Sequence, residues 1–345
     1  MNQTKAVIEA IRPWRHEDVY SCLHSCLGTV LEHYGLDPVV VLGSNWDFYY
    51  LPGDFRREEY YYPCRFPSLS RSLMPYHPVR AEWRHPTSGA AGWDEVKAAI
   101  GGGIPAIVAV DNYYLPFRPA YHDIHANHLV VVYGYDETAG TAQVIDPTPP
   151  YCFGPVDLDD LRQARWSGTP GEGRDSFFAD IPVAARWLEV TVTGACPPLT
   201  WDWVKGVVTA NLERFADDGR PAFSGLAGLR RYLDDLCRRA GGPGPEAALE
   251  EAYVVGWPLQ AACALQAEFL GVAARELGCP ELAEAGRRID RLAHHWTALR
   301  VTGAHGQTEP EGVAPRLAHR AELLLHDLER ALRELGRLVD WRRSI

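Results

Sequence analysis

Apolar and polar positions follow two different spacings along the chain, and the spacing changes near residue 198. From about residue 20 to 195, short apolar runs alternate with turn-rich connections, which is typical of strands mixed with a few helices. From about residue 200 onward the chain is rich in Ala, Leu, Arg and Glu at helical spacing. We therefore predict an α+β domain over residues 1–198, followed by a helical domain over residues 199–345.

The first predicted helix has one continuous apolar face. Ser21 precedes it as a candidate N-terminal cap, and Gly35 supplies a natural C-terminal stop. The apolar face consists of residues spaced three and four positions apart: Leu23, Cys26, Leu27, Val30, Leu31 and Tyr34.

Further apolar runs predict an antiparallel sheet behind this helix. Residues 93–100 read as a second helix, and residues 104–110 as a buried strand. Residues 129–135 and 142–146 are two apolar runs separated by a polar turn, which predicts a hairpin. A further strand at residues 187–193 is expected to join the same sheet.

Charge and cysteine usage narrow the class of protein. The net charge of −11 disfavours nucleic acid or an anionic membrane as the main partner. The eight cysteines are scattered and contain no Cys-x-x-Cys pair, which suits reduced thiols better than a disulfide framework. The N-terminus lacks a basic segment followed by an apolar one, and no run of eighteen apolar residues occurs. We expect a cytoplasmic protein without a membrane span.

Three residues on these elements could form a catalytic triad. Cys22 falls in the first turn of the first helix, where backbone N–H groups and the helix dipole favour a thiolate. His128 directly precedes one strand of the predicted hairpin, and Asp146 ends the other, before Pro147. If the strand register brings them together, Asp146 orients the imidazole and His128 takes the thiol proton.

Each of these residues also has an ordinary structural explanation. Helical cysteines are commonly buried apolar side chains, and a His or Asp at a strand end commonly belongs to a loop or turn. A zinc site is a second alternative, with Cys22 and Cys26 one helical turn apart and His125 and His128 three residues apart. The triad is the simpler interpretation, so we expect no bound metal.

Several segments resemble the butirosin biosynthesis protein H family. They are residues 21–35 (SCLHSCLGTVLEHYG), 105–116 (PAIVAVDNYYLP), 125–136 (HANHLVVVYGYD), 144–147 (VIDP) and, in the helical half, 223–236 (FSGLAGLRRYLDDL). The order of Cys22, His128 and Asp146 is also distantly similar to that of bacteriocin-processing cysteine peptidases, which have a papain-like fold.

The resemblance implies a papain-like acyltransferase of natural-product biosynthesis. An acyl or peptidyl carrier protein would deliver a thioester on its phosphopantetheine, Cys22 would take the acyl group, and a small acceptor amine would receive it as an amide. No other cofactor is implied. Two alternatives remain open: a cysteine hydrolase, either peptidase or thioesterase, with the same triad, and an inactive module that binds the carrier.

Other site residues are less directly indicated. Papain-like enzymes place a Gln before the nucleophile as an oxyanion donor, but the only nearby Gln is Gln3, so His16 is the candidate together with the backbone N–H of Cys22. The resemblance makes Asp111, Tyr114 and Tyr121 candidates for holding the acceptor amine, with Asp111 as the charged contact; a self-packed loop is the alternative.

Two surfaces have alternative interpretations. The aromatic stretch from residue 46 to 62 either lines an acceptor pocket or packs against the sheet, and packing is the commoner role for such residues. Arg342 and Arg343 in the arginine-rich C-terminal segment offer a docking surface for an acidic carrier protein, although a solvated helical face explains them as well.

Overall fold

The computed structural model describes residues 4–50, 69–168, 170–177, 182–216 and 223–340. The strands are β1 (Lys5–Val7), β2 (Tyr49–Tyr50), β3 (Val79–Arg84), β4 (Ala106–Asp111), β5 (Asn127–Asp136), β6 (Thr141–Asp146), β7 (Cys152–Asp157), β8 (Trp187–Val192) and β9 (Phe223–Ser224). The helices are α1 (Cys22–His33), α2 (Pro38–Gly43), α3 (Leu69–Leu73), α4 (Gly89–Gly101), α5 (Leu158–Arg165), α6 (Trp201–Ala216), α7 (Gly225–Ala240), α8 (Glu246–Leu277), α9 (Pro280–Thr308) and α10 (Val313–Leu338).

A seven-stranded antiparallel sheet forms the centre of the first half. Its strand order is β3-β8-β4-β5-β6-β7, and β1 pairs with the far end of β5. The apolar runs of β4 and β5 are buried along almost their whole length, and α1 packs against β5. The predicted α+β class, the first helix and the hairpin are therefore confirmed, whereas β1, β3 and β7 were not predicted.

The second half is helical, and α8 connects it to the sheet region. Ala261 and Leu265 on α8 are fully buried in the same apolar core as α1 and the sheet. Gly43 at the end of α2 permits this contact, because a Cβ atom there would lie 2.2 Å from the carbonyl oxygen of Leu265. The predicted domain boundary at residue 198 falls in the connection between β8 and α6 and remains a prediction.

The described part of the aromatic stretch packs against helices rather than the sheet. Trp46, Phe48 and Tyr50 are buried in the apolar core of the helical half, and Tyr50 donates a hydrogen bond to Asp235 at 3.0 Å. Strand β2 also pairs with β9. Packing is thus the role of residues 46–50, although the expected partner was the sheet. Residues 51–62, like Arg342 and Arg343, lie outside the described residues.

None of the helices in the described part of the chain has the length and apolar character needed to cross a bilayer. The seven cysteines in those ranges are all outside disulfides.

Candidate active site

Cys22 is the first residue of α1 and lines a cavity of about 540 Å³. Its side chain is 1 % exposed. Ser21 occupies the N-cap position, but its hydroxyl does not cap the helix and instead contacts His24 Nδ1 at 2.9 Å. The first-turn N–H groups therefore lack the expected serine cap and can stabilise negative charge at the thiol.

His24, the third residue of α1, is held as a neutral ring. Burial lowers the pKa of His24 to about 4. At neutral pH it therefore adds no positive charge beside the thiol, and its hydrogen bond to Ser21 fixes the start of the helix.

His128 and Asp146 meet as the sequence predicted. His128 Nε2 lies 2.9 Å from Asp146 Oδ2, and the two side chains are 5 % and 0 % exposed. Asp146 Oδ1 accepts a hydrogen bond from the backbone N–H of Thr148 at 3.0 Å. Because Nε2 is engaged by the carboxylate, Nδ1 is the ring nitrogen through which His128 could exchange a proton with another group.

A β-bulge decides that these two side chains face each other. Near the turn, Asp136 pairs with Thr141, but the register shifts between Val132 and Gly134, and Val131 then pairs with Ile145. Without this shift, the register set at the turn would pair Asp146 with Val131. The Asp146 side chain would then lie on the opposite face of the sheet from His128. The extra residue of the bulge moves Asp146 onto the face of His128.

Arg118 completes this buried chain and was not predicted. Its Nη1 donates to Asp146 Oδ2 at 3.0 Å, the same oxygen that His128 contacts, and also to the carbonyls of Thr148 and Pro149 at 3.3 Å. Arg118 is 12 % exposed. It lies in a Pro-rich connection without a regular period, so no sequence signal pointed to it.

His16 is not placed to donate to an oxyanion. Its Nε2 contacts Glu268 Oε2 at 2.7 Å, and its Nδ1 accepts the backbone N–H of Asp18 at 3.1 Å. Burial alone would lower the pKa of His16, but the hydrogen bond and negative charge of Glu268 outweigh it, so the net shift is upward. Both ring nitrogens are committed away from the cavity, which makes the sequence-based assignment wrong.

Asp111 is a structural carboxylate rather than a contact for the acceptor. It is fully buried, and Oδ2 contacts His125 Nδ1 at 2.7 Å and the Ser167 hydroxyl at 2.6 Å. Its Oδ1 accepts the backbone N–H groups of Tyr113 and Ala126 at 3.1 and 3.2 Å. These four contacts close the loop after β4 and leave the carboxylate no face toward the cavity.

The two predicted tyrosines also lie outside the cavity lining. Tyr114 packs on the apolar core, with its ring at 5.0 Å from that of Tyr113. Tyr121 is 38 % exposed and stacks on His122 at 4.0 Å between ring centroids. The alternative interpretation of this loop, packing on itself, describes both residues.

The four residues of the zinc alternative do not converge. Cys26 Sγ contacts the carbonyl of Leu129 at 3.4 Å, and His125 is bound to Asp111. Within the described ranges, the three-residue group with metal-ligand geometry is His16, Asp18 and Glu268, outside the cavity.

Polar and aromatic residues that the sequence did not single out form the rest of the cavity. Asn112, Asn127 and Asp175 supply polar groups, and Phe177 and Trp257 supply an apolar wall. Burial raises the pKa of Asp175; the hydrogen bond from the Phe177 N–H acts in the opposite direction, and the negative charge of Glu250 adds to the rise.

Trp257 reaches the cavity from the helical half of the chain. The Arg300 guanidinium lies 3.4 Å from the centroid of the Trp257 ring, and the Phe177 ring is 6.1 Å away. Helix α8 also anchors the segment before the nucleophile, because Gln260 donates to the carbonyl of Asp18 at 2.9 Å. The helical half therefore contributes directly to the shape of this site.

Comparison with protein-family models matches residues 21–147 to butirosin biosynthesis protein H, N-terminal. Over residues 21–147 the chain is therefore similar to the butirosin biosynthesis protein H family. The match contains Cys22, His128 and Asp146 and confirms the resemblance seen in their segments; the resemblance of residues 223–236 stays a prediction. The matching family is one of biosynthetic proteins. A comparison with curated proteins gave no match.

Proposed function

We propose that this protein is a papain-like cysteine acyltransferase that forms an amide in natural-product biosynthesis. The observation that carries the proposal is the convergence, on one cavity, of a thiol at a helix N-terminus and an imidazole held by a buried carboxylate. These are the parts that an activated thiol nucleophile needs.

The first half-reaction transfers the acyl group to the enzyme. His128 accepts the proton of Cys22, and the thiolate attacks the carbonyl carbon of a thioester. The N–H of Cys22 and the helix tip stabilise the oxyanion. A bond then forms between the acyl carbon and Cys22 Sγ, the bond to the donor sulfur breaks, and the donor thiol leaves with the proton from His128.

The second half-reaction forms the product. A neutral amine attacks the acyl-enzyme, His128 removes its proton, and the carbon–nitrogen bond replaces the bond to Cys22 Sγ. In this proposal the donor is carried by an acyl or peptidyl carrier protein, whose phosphopantetheine arm enters the cavity, and the reaction takes place in the cytoplasm. Water as the acceptor would make the same site a hydrolase.

Intact-protein mass spectrometry tests the acyl-enzyme directly. The protein is mixed with the S-acetyl thioester of N-acetylcysteamine, and we expect an increase of one acetyl group that maps to Cys22. Cys22→Ala is expected to abolish the adduct. Cys26→Ser removes a buried thiol one helical turn further along the same helix, and this variant should still form the adduct.

Addition of propylamine to the isolated acyl-enzyme separates transfer from hydrolysis. Release as N-propylacetamide, faster than release as acetate, supports the transferase. Release only as acetate supports the hydrolase. Failure of several acyl thioesters to modify Cys22 in a folded protein would contradict both enzyme functions and favour a binding module.

A further inference from the structure

Buried polar atoms without a hydrogen-bond partner are concentrated in the residues that line the active-site cavity. In the described part of the chain, Asn112 Oδ1 and both Asn127 Oδ1 and Nδ2 have none, although the two residues are only 7 % and 6 % exposed. Leaving such a group unpaired costs about 1–3 kcal/mol. The cavity is therefore built to pair with polar groups of a ligand.

The backbone gathers these two side chains and Asp175 at one edge of the sheet. Asn127 is the strand partner of Asp111, and the N–H of Asn112 donates to the carbonyl of Ala126 at 2.9 Å. The N–H of Asp175 donates to the carbonyl of His125 at 2.8 Å. Three adjacent backbone segments thus carry three short polar side chains into the cavity beside His128.

The chemistry of this group favours a cation. Asp175 lines the cavity, and its Oδ1 accepts the N–H of Phe177 at 2.6 Å. Its carboxylate and the two amide oxygens of Asn112 and Asn127 are acceptors, and a protonated amine has three N–H donors. The carboxylate would repel an anionic group at the same position.

We propose that Asp175, with the side-chain oxygens of Asn112 and Asn127, binds a protonated amine of the acyl acceptor. This inference rests on the proposed acyl transfer. The bound ammonium is a different nitrogen from the one that attacks, because the attacking amine must be neutral whereas a carboxylate stabilises the charged form. The acceptor accordingly carries at least two amino groups, and Asp175 is a specificity-determining residue for it.

The test compares two acceptors that differ in one group, 1,3-diaminopropane and 3-aminopropan-1-ol. Each is added to the acetyl-enzyme, and the ratio of the two aminolysis rates is measured for wild type and for Asp175→Asn. We expect the preference for the diamine to fall by about 10- to 100-fold, as loss of a hydrogen bond to a charged group predicts. Asp123→Asn, which removes an exposed carboxylate outside the cavity lining, should leave the ratio unchanged.

A second measurement needs no acyl chemistry. 1,3-Diaminopropane should slow the alkylation of Cys22 by iodoacetamide in wild type and in Asp123→Asn, but not in Asp175→Asn. If 1,3-diaminopropane protects Cys22 of the wild type in this way but the wild type forms no acyl-enzyme, the cation site is supported and the proposed function is contradicted.

The inference is overturned if the diamine preference and the protection are the same in wild type and Asp175→Asn. Thermal melting establishes that the variant is folded. If Asp175→Asn does not fold, Asn112→Ala provides the test, and an unchanged diamine preference in that variant would equally overturn the proposal.

Discussion

The charge of Arg118 acts on the same carboxylate oxygen that holds His128. Replacing Arg118 by Gln removes that charge while keeping a polar side chain. Arg118 is also an ion-pair partner of the buried Asp146 carboxylate, and removal of one partner leaves the other charge buried with less compensation. We therefore expect the variant to have a lower free energy of unfolding than the wild type.

The size of this effect follows from the burial and the geometry of the pair. Arg118 Nη1 lies 3.0 Å from Asp146 Oδ2, and the two side chains are 12 % and 0 % exposed. Removing one partner of a buried ion pair costs about 3–5 kcal/mol. Asp146 keeps its contacts with His128 Nε2 at 2.9 Å and with the N–H of Thr148 at 3.0 Å, so we expect a loss at the lower end, about 3 kcal/mol.

Urea unfolding at pH 7 measures this loss without any substrate. Arg118→Gln should lower the free energy of unfolding by about 3 kcal/mol. Arg118→Lys keeps the charge and should lower it by less. In the Asp146→Asn background the buried charge is absent, so Arg118→Gln should cost little further stability.

A double-mutant cycle with Asp146→Asn separates an electrostatic role of Arg118 from simple loosening of the site. If Arg118→Gln cost as much stability in the Asp146→Asn background as in the wild type, the argument from the shared oxygen would be refuted.

Two further predictions concern stability. Because burial lowers the pKa of His24 to about 4 while the unfolded chain keeps the usual 6.5, the unfolded state binds the extra proton between these values and acidification destabilises the fold. Between pH 7 and pH 5, the free energy of unfolding measured in urea should fall by roughly 2 kcal/mol because of this group. His24→Gln should abolish this part of the fall, and equal falls in the wild type and the variant would contradict the prediction. Gly28→Ala would place a Cβ atom 2.0 Å from the Trp14 ring, so we expect a loss of about 3 kcal/mol in urea unfolding. Gly206→Ala, in an exposed helical position with open space around it, should instead be neutral or stabilising by up to about 1 kcal/mol, and similar effects at the two glycines would exclude the steric explanation.

Local periodicity was sufficient for the elements that carry the three proposed catalytic residues. The apolar spacing of α1 placed Cys22 at its first turn, and the two apolar runs around the polar turn placed His128 and Asp146 on paired strands. These features depend on neighbours a few residues away, so the sequence contains them directly.

The face on which those side chains meet was decided by tertiary structure. The bulge between Val132 and Gly134 changes the register by one residue, and the hydrophobic pattern of a strand buried on both faces does not reveal such a shift. His16 shows the converse case: its proximity to Cys22 in sequence suggested the site, but Glu268 on α8 holds its ring elsewhere.

The amino-acid sequence by itself therefore determined the fold class, the two types of secondary structure and the position of the thiol at a helix tip, because each depends on short-range spacing. Only the tertiary structure brought Arg118, Asp175 and Trp257 to the cavity. Their positions depend on an irregular loop, a segment beside the sheet edge and a helix more than two hundred residues from Cys22 in the sequence. Contacts of that range leave no periodic signal in the chain.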